Sequence, residues 1–206
     1  MAFTAVLDAC VLYPFSLRDT LLRLAEAELY DARWSQRILD EVSRNLIANE
    51  RLDAAQAIRL VETMQRAFPE ASVPLDQVVQ LEVAMPNDPG DRHVLAAAVA
   101  TGAEVVVTTN LRHFTADACQ SVGVTALHPD EFLCDLYALD PPVVCAAIRL
   151  QAADLDRPTV TVSELRSHLA VVVPGFAELL AQCAEPGQGP EPGTRPLRLV
   201  APLPED

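Results

Sequence analysis

Two rhythms of apolar residues alternate along this chain. Short, continuous, β-branched runs at residues 3–8 (FTAVLD), 104–109 (EVVVTT) and 122–127 (VGVTAL) read as buried strands, with briefer extended pieces at 32–34 and 72–75. Between them, apolar residues recur at helical spacing. A helix over residues 17–29 carries Leu21, Leu22, Leu24 and Ala25. A second, over 36–49 with Ser35 as N-cap, buries Ile38, Leu39, Val42 and Leu46. A third over 53–68 carries Ile58, Leu60, Val61 and Met64 and ends before Pro69, and residues 76–83 continue as helix.

Residues 87–114 compress most of the chain's punctuation. Asp88-Pro89-Gly90-Asp91 has the form of a helix start, with Asp88 as N-cap, Pro89 at the first helical position and Asp91 in the first turn. The alanine-rich helix runs to Thr101, where Gly102 stops it, and its small side chains suit close packing on a sheet. Asn110 then ends the following strand as Asp8 ends the first. A helix over 130–139 completes the alternation, which predicts an α/β domain with a parallel sheet covered by helices on both faces. In such sheets ligands bind at the carboxyl ends of the strands.

After Asp140-Pro141-Pro142 the strands stop. Helices at 142–154 and about 162–183 form a small extension, with Ser163 a possible N-cap and Pro174-Gly175 a break. From Glu185 the Pro- and Gly-rich chain is expected to be flexible unless a partner orders it. The expected division is therefore 1–140, 141–184 and 185–206.

Half of the 206 residues are apolar, ample for a sizeable core. The net charge of −14 argues against a protein that coats polyanions, though not against a locally basic site. All fifteen basic residues are Arg, which suits bidentate contact with phosphates; a GC-rich genome would give the same bias. Five scattered cysteines without a CxxC pair suggest neither a disulfide framework nor a zinc site, and are expected as buried free thiols. The N-terminus lacks the pattern of a signal peptide and no 18-residue apolar run follows, so no membrane association and a cytoplasmic location are expected.

Against this acidic background, four positions converge. Asp8 and Asn110 are expected on one rim of the sheet, Asp91 begins the helix leading to the second of those strands, and Glu41 borders the buried face of its helix while Asp40 points to solvent. Gathered carboxylates repel one another unless a cation neutralises them, and hard oxygen ligands select Mg²⁺ or Mn²⁺. Such a site suits phosphodiester hydrolysis by metal-activated water. Each residue also has a plainer role: Asp91 favouring a helix dipole, Asp88 as a cap, Glu41 as a solvated helix residue, Asn110 as a turn residue. Asp8 is hardest to explain that way, because a carboxylate ending a buried run is costly unless something pairs with it.

These residues resemble the PIN-domain family. LDACVLYP is similar to its first strand and acid, WSQRILDEV to its second acidic element, GDRHVLAAAVATGAEVVVTTNLRHF to its third, and HPDEFL to its end. The resemblance covers residues 1–137 and implies a PIN-like three-layer α/β/α sandwich with a central parallel sheet, plus a small helical C-terminal extension. It implies a Mg²⁺- or Mn²⁺-dependent nuclease, with Asp8, Glu41 and Asp91 as metal-binding acids. Asn110 stands where many members have a fourth Asp, which puts the second metal in doubt.

The resemblance further implies a VapC-type toxin, an RNase restrained by a cognate antitoxin protein and pairing as a homodimer. Arg18, Arg37, Arg44, Arg92 and Arg112 are the candidate contacts to RNA, single-stranded or looped, and His113 has either an assisting or a structural role. Two alternatives stay open: a housekeeping PIN nuclease for RNA processing or flap DNA, and a non-catalytic PIN-fold binding module.

Overall fold

The computed structural model describes residues 3–155 and 160–184. Strand β1 (Thr4–Leu7) runs into a single helical turn, α1 (Ala9–Leu12), and then α2 (Phe15–Glu26). Strand β2 (Asp31–Ser35), helix α3 (Gln36–Ala48), helix α4 (Ala54–Ala67), strand β3 (Ser72–Val73) and helix α5 (Leu75–Glu82) follow. Helix α6 (Arg92–Thr101) leads to β4 (Val105–Val107), and α7 (Ala116–Gln120) to β5 (Thr125–Leu127). The remaining helices are α8 (Pro129–Leu139), α9 (Pro141–Asp154), α10 (Val162–Leu169) and α11 (Pro174–Leu179).

The expected α/β architecture is present. All five strands pair in parallel in the order β3-β2-β1-β4-β5, with Ala5 opposite both Ala32 and Val105. Strand β1 is central, and Ala5, Val6 and Leu7 are fully buried, as a continuous apolar run requires. From β1 the chain winds outward through β2 and β3, then returns to place β4 on the other side of β1. The order reverses between β1 and β4, so the crevice at their carboxyl ends is where this topology binds ligands. Helix α6 packs across β1, β2, β3 and β4; its residues Val94 to Ala98 are fully buried, the close approach that alanine allows.

Two compact units divide the chain. The first comprises residues 1–14 and 30–128, with the whole sheet. The second comprises residues 15–29 and the described residues from 129 to 184, so α2 groups with the C-terminal helices rather than with the sheet that flanks it in sequence. Within this unit α2 packs on α9 and α10, and α8 on α9 and α11. Arg23 on α2 ties Asp19 (3.0 Å) to Asp154 (2.9 Å), and the buried Gln151 accepts from Thr20 (2.8 Å).

Several expectations need correction. Cys145 and Cys183 are not free thiols: they form a disulfide, because α9 packs against the turn at 180–184 and brings their Cα atoms within 5.1 Å. Helix α10 starts from Thr161, not Ser163, through a reciprocal capping box with Glu164. On α4 the buried positions are Ala57 and Met64, while Ile58 is 59% exposed. Helix α6 begins at Arg92, after the Asp88–Asp91 turn. The expectations for the 185–206 tail and the Arg157-Pro158 break lie outside the described residues.

Candidate metal centre and cleft

Asp8 sits where β1 ends, 4% exposed, and three donors converge on it. Its Oδ1 accepts from the Ala9 amide (2.6 Å), which makes it the N-cap of α1; its Oδ2 accepts from the Thr108 hydroxyl (2.7 Å) and the Cys10 thiol (3.2 Å). Thr108 follows β4, so the ends of the two strands at the reversal point are joined through one carboxylate. Burial and then the charge of Asp8 push the Cys10 thiol up to about 11, which keeps it a protonated donor. Burial raises the Asp8 carboxyl itself, and Asp91 adds to that; the hydrogen bonds from Thr108, Cys10 and Ala9 oppose it.

Glu41 and Asp91 complete an acidic group within electrostatic reach of Asp8. Burial raises Glu41, and Asp8 and Asp91 raise it further, against Arg44 and Arg37. Asp88 does not cap α6. Its Oδ1 accepts from the Gly90 amide (2.9 Å) and its carbonyl from the Asp91 amide (2.9 Å), so the residues between them fold as a turn and Asp91 stands at the helix entrance.

Around Asp91 the structure gathers Asn110, Arg112 and His113. Asp91 Oδ2 lies 2.5 Å from His113 Nδ1 and 3.3 Å from Asn110 Nδ2. Asn110 Oδ1 accepts from Arg112 Nε at 3.2 Å. The amide nitrogen of Asn110 therefore faces Asp91, while its oxygen is engaged by the guanidinium. Among the described residues, Asp88, Asp91 and His113 are the group whose ligand atoms all lie within 4.8 Å of one another.

His93, at the second position of α6, is a residue that sequence reasoning passed over. It is 4% exposed, and its Nδ1 lies 3.1 Å from the Gly90 carbonyl, an acceptor, so Nδ1 carries the proton. Its Nε2 has no hydrogen-bond partner and lies 3.7 Å from Glu41 Oε2. Burial and then Arg37 lower its pKa, against Asp8, Glu82 and Asp91. The two residues share a cleft of about 450 Å³.

Of the candidate RNA-binding arginines, Arg37 and Arg44 line that cleft. Arg37 pairs with Glu82, Arg92 Nε donates to the Asn87 carbonyl (3.4 Å), and Arg112 is exposed beside Asn110. Arg18 has a different setting. It belongs to the second unit, 7% exposed, with its guanidinium 5.6 Å over the Phe15 ring, and burial lowers its pKa to about 10.

Residues 4–112 match the PIN domain family, over half of the chain. The chain belongs to that family. The parallel sheet and its helices have the three-layer α/β/α architecture of a PIN domain, and residues 129–182 match a VapC50 C-terminal domain, so the C-terminal helices are of a known kind too. Over 97 residues the chain is 45% identical to a Mycobacterium tuberculosis (strain ATCC 25618 / H37Rv) protein named "Putative ribonuclease VapC50". That alignment covers 47% of this chain and 57% of the relative, so the chain spans just over half the length of the relative it matches. No solved structure matches it. No helix among the described residues is long and apolar enough to cross a membrane.

Proposed function

We propose that this PIN protein is a Mg²⁺- or Mn²⁺-dependent endoribonuclease and the toxin of a type II toxin–antitoxin pair. The observation that carries the reading is the Asp8 carboxylate, buried at the reversal point of a parallel sheet, with Asp91 raising its proton affinity and Glu41 in electrostatic reach of both. A divalent cation is the partner this donor set fits: its ligand atoms are hard oxygens, and a positive charge removes the repulsion among them.

Asp8, Glu41 and Asp91 would hold the cation. Three hydrogen bonds fix the Asp8 carboxylate while leaving lone-pair capacity for a ligand bond. Asn110 and His113 orient Asp91, and Asn110 also anchors Arg112. A cation held there would act as a Lewis acid on a phosphoryl oxygen and would acidify a water toward a nucleophile. Arg44, Arg92 and Arg112 are the arginines proposed to meet RNA phosphates, Arg37 being paired with Glu82. Arg18, buried in the second unit, is left out of that set.

The test is cleavage of a defined single-stranded RNA by the purified protein. Cutting should require Mg²⁺ or Mn²⁺, stop with EDTA, disappear in Asp8→Asn and leave 3′-hydroxyl ends. Cleavage that survives EDTA and Asp8→Asn would reject the mechanism. The toxin assignment, with its protein antitoxin, homodimer and cytoplasmic setting, is tested by expression: growth arrest that depends on Asp8 and is relieved by co-expressing a small neighbouring gene supports it.

A further inference from the structure

The cleft beside Glu41 is built mainly by one polar stripe. Arg37, Asp40, Glu41, Arg44 and Asn45 recur at i, i+3, i+4, i+7 and i+8 on α3, so all five line the same side of the helix. Gly90 and His93 close the other wall. The cavity of about 450 Å³ is within the range of ~300–1,000 Å³ that holds small organic ligands, and is enough for one nucleotide.

Its chemistry narrows the occupant. The floor carries two acceptors without a donor between them: Glu41 Oε2 and the partnerless, buried His93 Nε2, 3.7 Å apart. A bare anion would be repelled by Asp40 and Glu41, and an apolar ligand would leave this polar wall unpaired. Arg37 is committed to Glu82, whereas Arg44 makes no salt bridge among the described residues. The wall thus offers a cation for a phosphate and acceptors for hydroxyl or amine donors. Asp40 Oδ1 already accepts from Gln36 Nε2 (2.8 Å), which leaves Oδ2 for one ligand donor.

We propose that this cleft is a single-nucleotide subsite next to the acidic group, in which Arg44 meets the phosphate and Asp40 accepts from an exocyclic amine of the base. The inference rests on the ribonuclease reading for its substrate class and adds a base preference to it. Cytosine, with its amine at N4, satisfies Asp40; uracil turns carbonyl oxygens toward the carboxylate and is disfavoured.

The experiment measures binding of fluorescent C5 and U5 RNA pentamers to the full-length protein in EDTA, where cleavage plays no part. Wild type should bind C5 about tenfold more tightly than U5. Asp40→Ala should bring the ratio near one; its added positive charge strengthens both ligands alike and cancels from the ratio. Arg44→Glu should weaken both at least tenfold and flatten the salt dependence, while the equal charge change Arg59→Glu, outside the cleft, should change either by less than twofold. Equal binding of C5 and U5 by wild type, an unchanged ratio in Asp40→Ala, matching losses in Arg44→Glu and Arg59→Glu, or no RNA binding at all would each overturn the subsite. The two readings fail separately. Arg44- and Asp40-dependent binding without any metal-dependent cutting removes the nuclease and keeps the subsite; cutting without the base preference does the reverse.

Discussion

The Thr108 hydroxyl donates to Asp8 Oδ2 at 2.7 Å, linking the end of β4 to the end of β1 through the most buried carboxylate of the site. Thr108 Oγ1 also accepts from the Asn110 amide (3.0 Å), so the same hydroxyl sets the backbone that carries Asn110. Thr108→Val keeps the shape and removes both interactions. We expect about 1–3 kcal/mol of destabilisation in chemical unfolding, the cost of leaving buried polar groups unsatisfied, together with weaker Mn²⁺ binding by calorimetry. Thr108→Ser should restore most of both; a Val variant indistinguishable from wild type would remove this hydroxyl from the site's construction.

Asp8→Asn should make the metal-free protein more stable. The amide is nearly isosteric, can still accept from the Ala9 amide, and removes a buried charge that Asp91 and Glu41 repel. The expected gain is on the order of 1–2 kcal/mol, or roughly 2–8 °C in melting temperature for a chain of this size. Saturating Mn²⁺ should reverse the ranking, because only the wild-type carboxylate gains from the cation. A melting temperature lower than wild type without metal would show that Asp8 is held as a structural acid.

The same repulsion has a pH signature. Burial, then Asp91, raises folded Asp8; burial, then Asp8 and Asp91, raises folded Glu41. The folded state therefore binds protons more tightly than the unfolded chain between the ordinary carboxylate range, about 4, and the raised values. In that window stability falls as pH rises; below it the groups are neutral in both states, and above it the loss is complete. The advantage of metal-free Asp8→Asn over wild type should be absent near pH 3 and grow above about pH 4 to a plateau. Urea unfolding of both proteins across pH 3–8 measures it, and an advantage independent of pH would exclude the carboxylate's charge as its source.

The parts of this arrangement that were legible in the sequence are those set by local physics. The continuous apolar runs located β1 and β4; the charge after the first run located Asp8; Ser35 caps α3 as read, its Oγ accepting from the Ile38 amide, and Gly102 ends α6 at φ 64°. What was not legible depends on distant residues. His93 reads as one more position on a buried alanine-rich helix until α6 is placed opposite Glu41. Asp88 looked like a cap because Pro89 suits a first helical position, but its carboxylate and carbonyl are taken by the Gly90 and Asp91 amides in a turn first. Arg18 follows the Asp8 rim closely in sequence, yet α2 belongs to the C-terminal unit. Cys145 and Cys183 have no spacing signal, since only the packing around α9 makes them neighbours.

Asn110→Asp should reshape the proposed cation site. The present amide donates to Asp91 and accepts from Arg112; a carboxylate at the same position keeps the second interaction and turns the first into repulsion. His113, 2.5 Å from Asp91 and 2.7 Å from the amide nitrogen, then faces two acids. We expect lower stability without metal, by about 1 kcal/mol, and Mn²⁺ affinity raised about tenfold, since hard cations respond to the number of charged ligands. Calorimetric titration with Mn²⁺ decides it. Unchanged affinity would place position 110 outside the metal's surroundings and leave it as a clamp on Asp91 and Arg112.

Reducing the disulfide should loosen the second unit and spare the first. Cys145 and Cys183 close a loop of 38 residues, and constraining a loop of that length in the unfolded chain contributes about 2–4 kcal/mol. All of that loop lies within the C-terminal unit, whereas the acids and the cleft lie in the sheet unit. Dithiothreitol, or the Cys145→Ala/Cys183→Ala pair, should therefore speed amide exchange in α9 and α10 while leaving exchange in β1 and β4 and the affinity for Mn²⁺ unchanged. A joint loss of protection in both units would mean that they unfold as one cooperative body, and that the staple supports the proposed metal centre as well.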